Sequence, residues 1–287
     1  MSANPTITDE RLKKLQEVEL ELLKTVDAVC SSNNIEYYLA CGTLLGAIRH
    51  NGFIPWDDDV DIFMTRENYN KFMQLPENLF PETIHVRSFH NTDKDDLNIS
   101  FQTKIESTNK KVLRKVGDKV VEQRIWIDVF VIDGMPKNVA RRKLNYFNIL
   151  FHQTLFRIAR SYKNGELKGK KRGGIEKAGI VISHIIPIGR VLNIKRVMGK
   201  TEKIFSKYNI DSSDMVIAYV PAYKKKCIVE KNIFEGRREE IFEGQLFPIP
   251  IGAEAYLSSI YGDYKTLPPV EKRIASHCED IVEAMNG

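Results

Sequence analysis

Apolar residues along this chain alternate between helical and strand-like spacing. Between residues 9 and 30 they recur with the period of an amphipathic helix, which Thr8 or Asp9 would cap. Those positions are Leu12, Leu15, Val18, Leu22, Val26 and Val29. Two more helices are predicted, over 67–74 with Thr65 as its cap and over 251–261. Short apolar runs predict strands at 37–40, 84–89, 99–106, 111–116, 125–131, 215–220 and 240–247. This mixture predicts an α/β (α+β) fold.

The pattern changes between residues 137 and 213. Residues 137–173 hold eleven lysines and arginines against one acid, Glu166, with aromatic and aliphatic residues interleaved. The run 180–194 is strongly apolar but is broken by Pro187 and Gly189. We therefore predict a catalytic core formed by residues 1–136 and 214–287, and a basic helical insertion formed by residues 137–213.

The basic surface of this insertion has a plain explanation and a functional one. It is either the solvated face of a helical subdomain or a contact for an anionic partner. Such a partner would be the inner leaflet of the plasma membrane or an acceptor that carries phosphates. Nucleic acid is not expected, because the sequence contains no RNA-binding or DNA-binding motif.

Candidate chemistry is concentrated in residues 41–63, which read CGTLLGAIRHNGFIPWDDDVDIF. Gly42 and Thr43 directly precede a helix-like run, where free backbone N–H groups can bind a phosphate. Four carboxylates follow the next loop: Asp57, Asp58, Asp59 and Asp61. Alternation along a strand would place Asp59 and Asp61 on one face, as a site for divalent metals requires.

A solvated turn or a helix cap would also explain an aspartate-rich loop. Two features favour the metal site. The carboxylates lead into an apolar strand, and like charges this close repel one another unless a cation or water neutralises them. Asp57 and Asp58 are expected to orient the metal-binding loop rather than to bind the metal.

Two charged residues lie inside predicted strands. Asp128 stands between Ile127 and Val129, where a buried, unpaired carboxylate would cost roughly several kcal/mol. It should therefore have a cation or hydrogen-bond donors beside it. Lys104 either lies exposed on an edge strand or contacts a phosphate. Asp133, followed by Gly134, is predicted to be a turn residue.

Composition is that of an ordinary globular protein. The 287 residues are 43% hydrophobic and 28% charged, and the net charge of +5 permits anionic partners without requiring them. The four cysteines are widely spaced and, apart from the adjacent His277 and Cys278, lack the spacing of a zinc site. We read them as reduced thiols. The N-terminal residues contain no apolar signal core, and no apolar run reaches the ~20 residues of a membrane span. A cytoplasmic location is therefore expected, with peripheral attachment at the inner face of the plasma membrane if the insertion binds lipid.

Three blocks of the sequence resemble the LicD family of bacterial phosphocholine transferases. They are GTLLGAIRHNGFIPWDDDVDIF (42–63), WIDVFVIDGMP (126–136), and a third block over 247–277 that includes FPIPIGAEAYLSSIYGDYKTLPP, EKR and His277. The resemblance implies a nucleotidyltransferase-like mixed sheet. It also implies transfer of a phospho-alcohol group, phosphocholine first, from a CDP-activated donor to a cell-surface glycan precursor such as teichoic acid, lipopolysaccharide or capsule.

The resemblance also assigns roles to individual residues. In nucleotidyltransferase folds a third carboxylate from a neighbouring strand faces the first two, and Asp128 is the candidate here. Mg²⁺ or Mn²⁺ held by Asp59, Asp61 and Asp128 would neutralise the donor diphosphate and the attacking oxygen. Asp128 would also assist as the base. Donor phosphate would contact Gly42 and Thr43, with Arg49 and Lys104 as additional candidates.

The sequence is compatible with two alternative functions. An NTP-dependent nucleotidyltransferase would use the same carboxylates to transfer the nucleotide itself. A catalytically inactive protein that binds or assembles glycans would keep the fold without the metal. The presence of Asp59, Asp61 and Asp128 argues against the inactive protein.

Overall fold

The computed structural model describes residues 9–92, 99–116, 119–164, 192–273 and 281–286. The helices are α1 (Asp9–Ser32), α2 (Cys41–His50), α3 (Arg66–Met73), α4 (Val139–Asn164), α5 (Ile194–Phe205) and α6 (Ala253–Tyr261). The strands are β1 (Tyr38–Leu39), β2 (Val60–Thr65), β3 (Ile84–Arg87), β4 (Thr103–Val116), β5 (Lys119–Met135), β6 (Met215–Ala218), β7 (Ile228–Glu230), β8 (Arg237–Phe242), β9 (Gln245–Pro250) and β10 (Ile281–Asn286). Short 3₁₀ turns lie at Glu77–Leu79, Lys224–Cys227, Lys231–Phe234 and Val270–Lys272.

A mixed sheet forms the centre of the molecule, as expected for an α/β fold. Its main strand order is β1-β2-β5-β4-β10, with β3 paired to β4, and with β6 between β5 and β7. The β2–β5 pair is parallel, and the other pairs are antiparallel. Strands β8 and β9 form a separate hairpin. The parallel pair is the part of the sheet that positions the candidate site.

Strands β2 and β5 are central because apolar side chains cover both of their faces. Val60, Ile62 and Phe63 are fully buried in β2, and Ile127 and Ile132 are fully buried in β5. A strand covered on both faces reads as a nearly continuous apolar run, as both do here. A charged residue within such a run is therefore conspicuous.

Most predicted elements are present with shifted ends. The N-terminal helix is confirmed, and Thr65 caps α3 by accepting a hydrogen bond from the Asn68 N–H at 3.3 Å. The predicted strands 103–106 (the last part of 99–106) and 111–116 belong to the single strand β4, which begins at Thr103 and whose pairing with β5 shifts register between Glu106 and Lys111.

The prediction of one strand over 240–247 was wrong. The chain reverses there, and Glu243 and Gly244 form the turn of the β8–β9 hairpin with φ values of 50° and 74°. A residue pair with positive φ matches the right-handed twist of a hairpin, so the run divides into two strands.

Two further predictions are corrected by the sheet. Lys104 does not lie on an exposed edge strand, because β4 pairs with neighbours on both sides and the residue is buried. Asp133 is not a turn residue. It lies within β5 at 1% exposure, and its carboxylate accepts two hydrogen bonds from Arg66 at 2.8 and 2.7 Å.

The described part of the insertion consists of α4 and α5, which pack together. Their apolar residues form a second core with Phe89 and Ile99 from the loop after β3. The central portion of the insertion, including most of the apolar run 180–194, lies outside the described residues, as does His277. The boundaries of core and insertion stay a prediction. Among the described helices, none is both long and apolar enough to cross a membrane.

Candidate functional site

Three charged side chains lie side by side across three neighbouring strands. Asp61 on β2 is directly opposite Asp128 on β5, and Asp128 is directly opposite Lys104 on β4. Residues directly opposite one another in a sheet point to the same face. The parallel register of β2 and β5 thus brings together two of the three predicted metal ligands, and the antiparallel register of β5 and β4 adds one predicted phosphate contact.

The loop that enters β2 supplies more carboxylates. Ligand oxygens of Asp57, Asp58 and Asp59 lie within 4.8 Å of one another. Hard divalent cations bind oxygen at roughly 2.0–2.6 Å, so ligands on opposite sides of one ion are roughly 4–5 Å apart. The spacing and the all-oxygen donor set therefore fit Mg²⁺ or Mn²⁺. This grouping includes the predicted ligand Asp59 and also Asp57 and Asp58, which were expected only to orient the loop.

Asp61 is buried next to these carboxylates. Burial raises the pKa of its carboxyl group well above the usual value, and the neighbouring charges of Asp59, Asp128 and Asp57 raise it further. Without a cation the site therefore favours a neutral Asp61. A divalent cation would reverse this preference by favouring the ionised form.

The side chain of Thr43, near the start of α2, is hydrogen-bonded to the backbone of β2. Its hydroxyl oxygen accepts a hydrogen bond at 2.9 Å from the backbone N–H of Asp61, and both residues are buried. The hydroxyl proton is still available for a second partner. Thr43 therefore has a structural role, while its contact with donor phosphate stays a prediction.

Gly42 allows an acidic side chain to approach the N-terminus of α2. A Cβ atom at this position would lie 2.5 Å from Oδ2 of Asp57, a separation that real Cβ atoms do not adopt. The helix start thus faces a carboxylate, and the partial positive charge of a helix N-terminus favours an anion there. Phosphate binding at Gly42 stays a prediction.

Asp128 already has partners on both carboxylate oxygens. Trp126 donates its indole N–H to Oδ2 at 3.0 Å, and the Lys104 ammonium lies 3.4 Å from Oδ1. The same ammonium lies 3.5 Å from the centre of the Trp126 ring, a cation–π contact. Burial lowers the pKa of Lys104 to about 8, although Asp128 opposes this shift. The expected partner for Asp128 is thus found, whereas its role as metal ligand stays a prediction.

Arg49 lies near the end of α2, at the edge of this region. Its guanidinium donates to the carbonyl oxygen of Tyr264 at 2.7 Å. Burial lowers its pKa, and the nearby charge of Asp57 partly opposes that change. A second arginine, Arg273, lies over the ring of Trp56 at 5.5 Å. Contact between Arg49 and donor phosphate is untested by this geometry.

Sequence reasoning missed Glu19, a buried acid on α1 at 3% exposure. The sequence contained a signal for it. Position 19 fits the helical spacing of the buried positions Leu12, Leu15 and Leu22 at least as well as Val18 does. A glutamate at an apolar helix position was a reason to look for a function. One turn earlier, Gln16 donates its side-chain amide to the carbonyl oxygen of Asp57 at 2.8 Å. This face of α1 is therefore held against the aspartate loop.

Comparison with known proteins agrees with the geometry. Residues 34–143 match the family model described as LicD/FKTN/FKRP, nucleotidyltransferase domain. The Haemophilus influenzae lipopolysaccharide cholinephosphotransferase LicD is 30% identical over 274 residues, which cover 94% of this chain and 97% of that protein. Shorter matches include human ribitol 5-phosphate transferase FKRP, 40% identical over 55 residues that cover 19% of this chain and 11% of FKRP. An uncharacterised protein of Rickettsia prowazekii is 40% identical over 76 residues, or 24% of this chain and 29% of that protein. With a full-length relative at this identity, the chain belongs to the LicD family.

Proposed function

We propose that this protein is a metal-dependent transferase that moves phosphocholine from CDP-choline to a sugar hydroxyl of a cell-surface glycan precursor, with CMP as the leaving group. The observation that supports the transferase class most strongly is the similarity to a cholinephosphotransferase over nearly the whole of both chains. The carboxylates of β2, β5 and the preceding loop supply a site suited to that chemistry.

In the proposed reaction, a sugar oxygen forms a bond to the choline-bearing phosphorus while the bond from that phosphorus to the CMP oxygen breaks. Bound Mg²⁺ or Mn²⁺ would supply charge neutralisation for the donor diphosphate and the attacking oxygen. Asp59 and Asp61 would hold the cation, with Asp128 as the third ligand. Asp128 would also take the proton from the attacking hydroxyl.

Binding of the donor would use the cationic groups around this face. The Lys104 ammonium lies in the row of charged residues across the sheet, and the charge of Asp57 acts on Arg49. Backbone N–H groups at the start of α2, near Gly42 and Thr43, would complete the contact with phosphate. Trp126 would hold Lys104 in place through its ring.

Two alternative reactions would use the same carboxylates. The similarity to ribitol 5-phosphate transferase FKRP favours ribitol phosphate as an alternative group, with the same donor chemistry. The match to a nucleotidyltransferase domain favours, as second candidate, attack on the α-phosphorus of an NTP with transfer of the nucleotide. The carboxylates serve either reaction equally.

A doubly labelled donor distinguishes these reactions. CDP-choline carrying one label in choline and another in cytidine is incubated with the protein, Mg²⁺ and a glycan acceptor. Choline label on the acceptor together with free labelled CMP supports the proposal. Cytidine label on the acceptor supports nucleotidyl transfer, and the absence of any Mg²⁺-dependent transfer from CDP-choline or CDP-ribitol contradicts a CDP-alcohol transferase.

The acceptor is proposed to be linked to lipid, because the insertion has a surface suited to a membrane. Helix α4 contains six lysines or arginines and no acid. Leu144, Phe147 and Phe151 are exposed on it, at the spacing of one helix face. Attachment at an anionic leaflet would bring the site to such an acceptor.

A further inference from the structure

Glu19 is an acid in a place where an isolated charge is unfavourable. It projects from the middle of α1, is 3% exposed, and its Oε2 atom accepts no hydrogen bond from the described residues. Buried carboxylates in proteins are normally paired, hydrogen-bonded or bound to a metal. No pairing with a lysine or arginine of the described chain is found for Glu19.

The neighbours of Glu19 are the carboxylates of the candidate site. After burial itself, the charges of Asp59, Asp58, Asp57 and Asp61 are what raise the pKa of its carboxyl group. The position is also fixed independently of charge, because Gln16 on the same helix face binds the backbone of Asp57. Residues three apart lie on the same face of a helix, so Glu19 is held toward the loop.

We propose that Glu19 is an additional carboxylate of the divalent-cation site, supplied by α1 and binding the cation through one water, since its oxygens are not among those that lie within 4.8 Å of one another. This inference rests on the proposed function, which requires the cation. It explains why an acid occupies an apolar helix position near four other acids, whose charges oppose its ionisation and which a bound cation would stabilise.

A purely structural role predicts something different. A neutral Glu19 would then serve as a packing group or as a hydrogen-bond donor to an aspartate. Replacing it with glutamine would preserve its shape and hydrogen-bonding groups, so cation affinity would be unchanged. A cation ligand, in contrast, loses its negative charge in the same substitution.

The test measures Mn²⁺ binding to the metal-free, full-length protein by electron paramagnetic resonance, without donor or acceptor. We expect Glu19→Gln to weaken Mn²⁺ affinity at least tenfold. Glu17→Gln, an exposed glutamate of the same helix, is the matched control and should bind as the wild type does. Asp61→Asn serves as the reference for a disrupted site. Circular dichroism verifies folding, and Glu19→Asp, which keeps the charge but withdraws it by one methylene, is the second variant if Glu19→Gln does not fold.

The outcomes separate this inference from the proposed function. Weak binding by Glu19→Gln, or by Glu19→Asp in its place, with a normal Glu17→Gln supports the inference. Wild-type affinity in the variant, with Asp61→Asn defective, overturns the role of Glu19 and leaves the metal site intact. A wild-type protein that binds no Mn²⁺ overturns both.

Discussion

Asp61 and Lys104 are buried charged residues in a sheet region covered by apolar side chains. Lys104 is paired with Asp128, whereas the carboxylates beside Asp61 oppose its ionisation, so a charged Asp61 requires the proposed cation. At the scale of single residues, the predictions therefore concern charge and hydrogen bonding rather than size.

Replacing a carboxylate of β2 or its entry loop should abolish turnover without unfolding the protein. For Asp59→Asn and Asp61→Asn we expect at least ~100-fold lower kcat, because losing one ligand removes at least ~3 kcal/mol of transition-state stabilisation. Steady-state release of CMP measures the effect, with exposed Asp211→Asn as control. More than about a tenth of wild-type activity in both variants would contradict the assignment of these residues to the metal site.

Lys104 should give the reaction an alkaline limit. With a pKa of about 8, its ammonium is present below that pH and lost above it. If the ammonium binds donor phosphate, kcat/KM for the donor falls as the pH rises through about 8. Lys104→Arg stays cationic throughout this range, so its profile should lack the decline. Identical alkaline limbs in both proteins would show that another group titrates.

The same shift has a consequence for stability, with a definite sign. The pKa of Lys104 is lower in the folded protein than the ~10.4 of an unfolded chain, so the unfolded chain binds more protons between these values. The contribution of Lys104 to the free energy of unfolding is therefore least favourable below the folded pKa and improves as the pH rises.

The hydroxyl of Thr43 should matter for stability as well as for any contact with substrate. Thr43→Val keeps the shape but leaves the buried N–H of Asp61 without its acceptor, at a cost of about 1–3 kcal/mol. Thr43→Ser keeps the acceptor and should lose less. Urea unfolding of the three proteins provides the comparison, and a serine variant as unstable as the valine variant would argue that methyl packing is responsible instead.

At the scale of elements, local signals predicted well and non-local ones did not. The spacing of apolar residues located α1, and the Thr65 cap located the start of α3, because both depend on neighbouring residues. The position of Lys104 depended on which strands flank β4, and strand order is set by residues far apart in sequence. The hairpin over 240–247 was missed because its Glu-Gly turn is not among the strongest turn signals.

The candidate site shows the same division. The aspartates of the loop and β2 were recognised from their spacing, and Asp128 from its place in an apolar strand. The opposition of Asp61 and Asp128 depends on a parallel register that no local pattern reveals. Glu19 was overlooked because only the apolar positions of α1 were considered, although the helical period places Glu19 on the inner face.

Helix α4 should attach the protein to anionic membranes. Leu144 and Phe147 are 69% and 67% exposed, and Arg141 and Lys143 are exposed beside them. Each basic residue near an anionic leaflet contributes ~1 kcal/mol, and the effect weakens with salt. We therefore expect the protein to sediment with anionic liposomes at low salt and not with neutral ones.

Variants of α4 identify the surface that binds. The double variant Arg141→Gln/Lys143→Gln should reduce sedimentation with anionic liposomes, while activity on a soluble acceptor is retained. Arg142 is left unchanged, because it donates to the carbonyl oxygens of Pro136 and Lys137. Lys13→Gln/Lys14→Gln on α1 is the matched control. Equal sedimentation with neutral and anionic vesicles, or none with either, would reject binding of this helix to an anionic membrane.

At the scale of the whole molecule, one arginine joins the core to the insertion. Arg66 on α3 binds the buried carboxylate of Asp133 with two hydrogen bonds and contacts Glu202 on α5 at 3.4 Å. Arg66→Met would leave Asp133 buried without its cation, and we expect a loss of about 3–5 kcal/mol in the free energy of unfolding. Urea denaturation measures it. The double variant Arg66→Met/Asp133→Leu should recover most of the loss, and a double variant no more stable than the single one would contradict this explanation.

The parallel pairing of β2 with β5 also determines when the site is assembled. During synthesis the aspartates of the loop and β2 are made first, while Asp128 and Lys104 follow only after α3 and β3. Contacts between residues far apart in sequence form slowly, because the entropy of closing a long loop is lost before those contacts contribute favourable free energy. A nascent chain that ends before β5 therefore carries these aspartates and Lys104 without Asp128. The complete set of site residues is therefore present only after β5, the centre of the sheet, has been made.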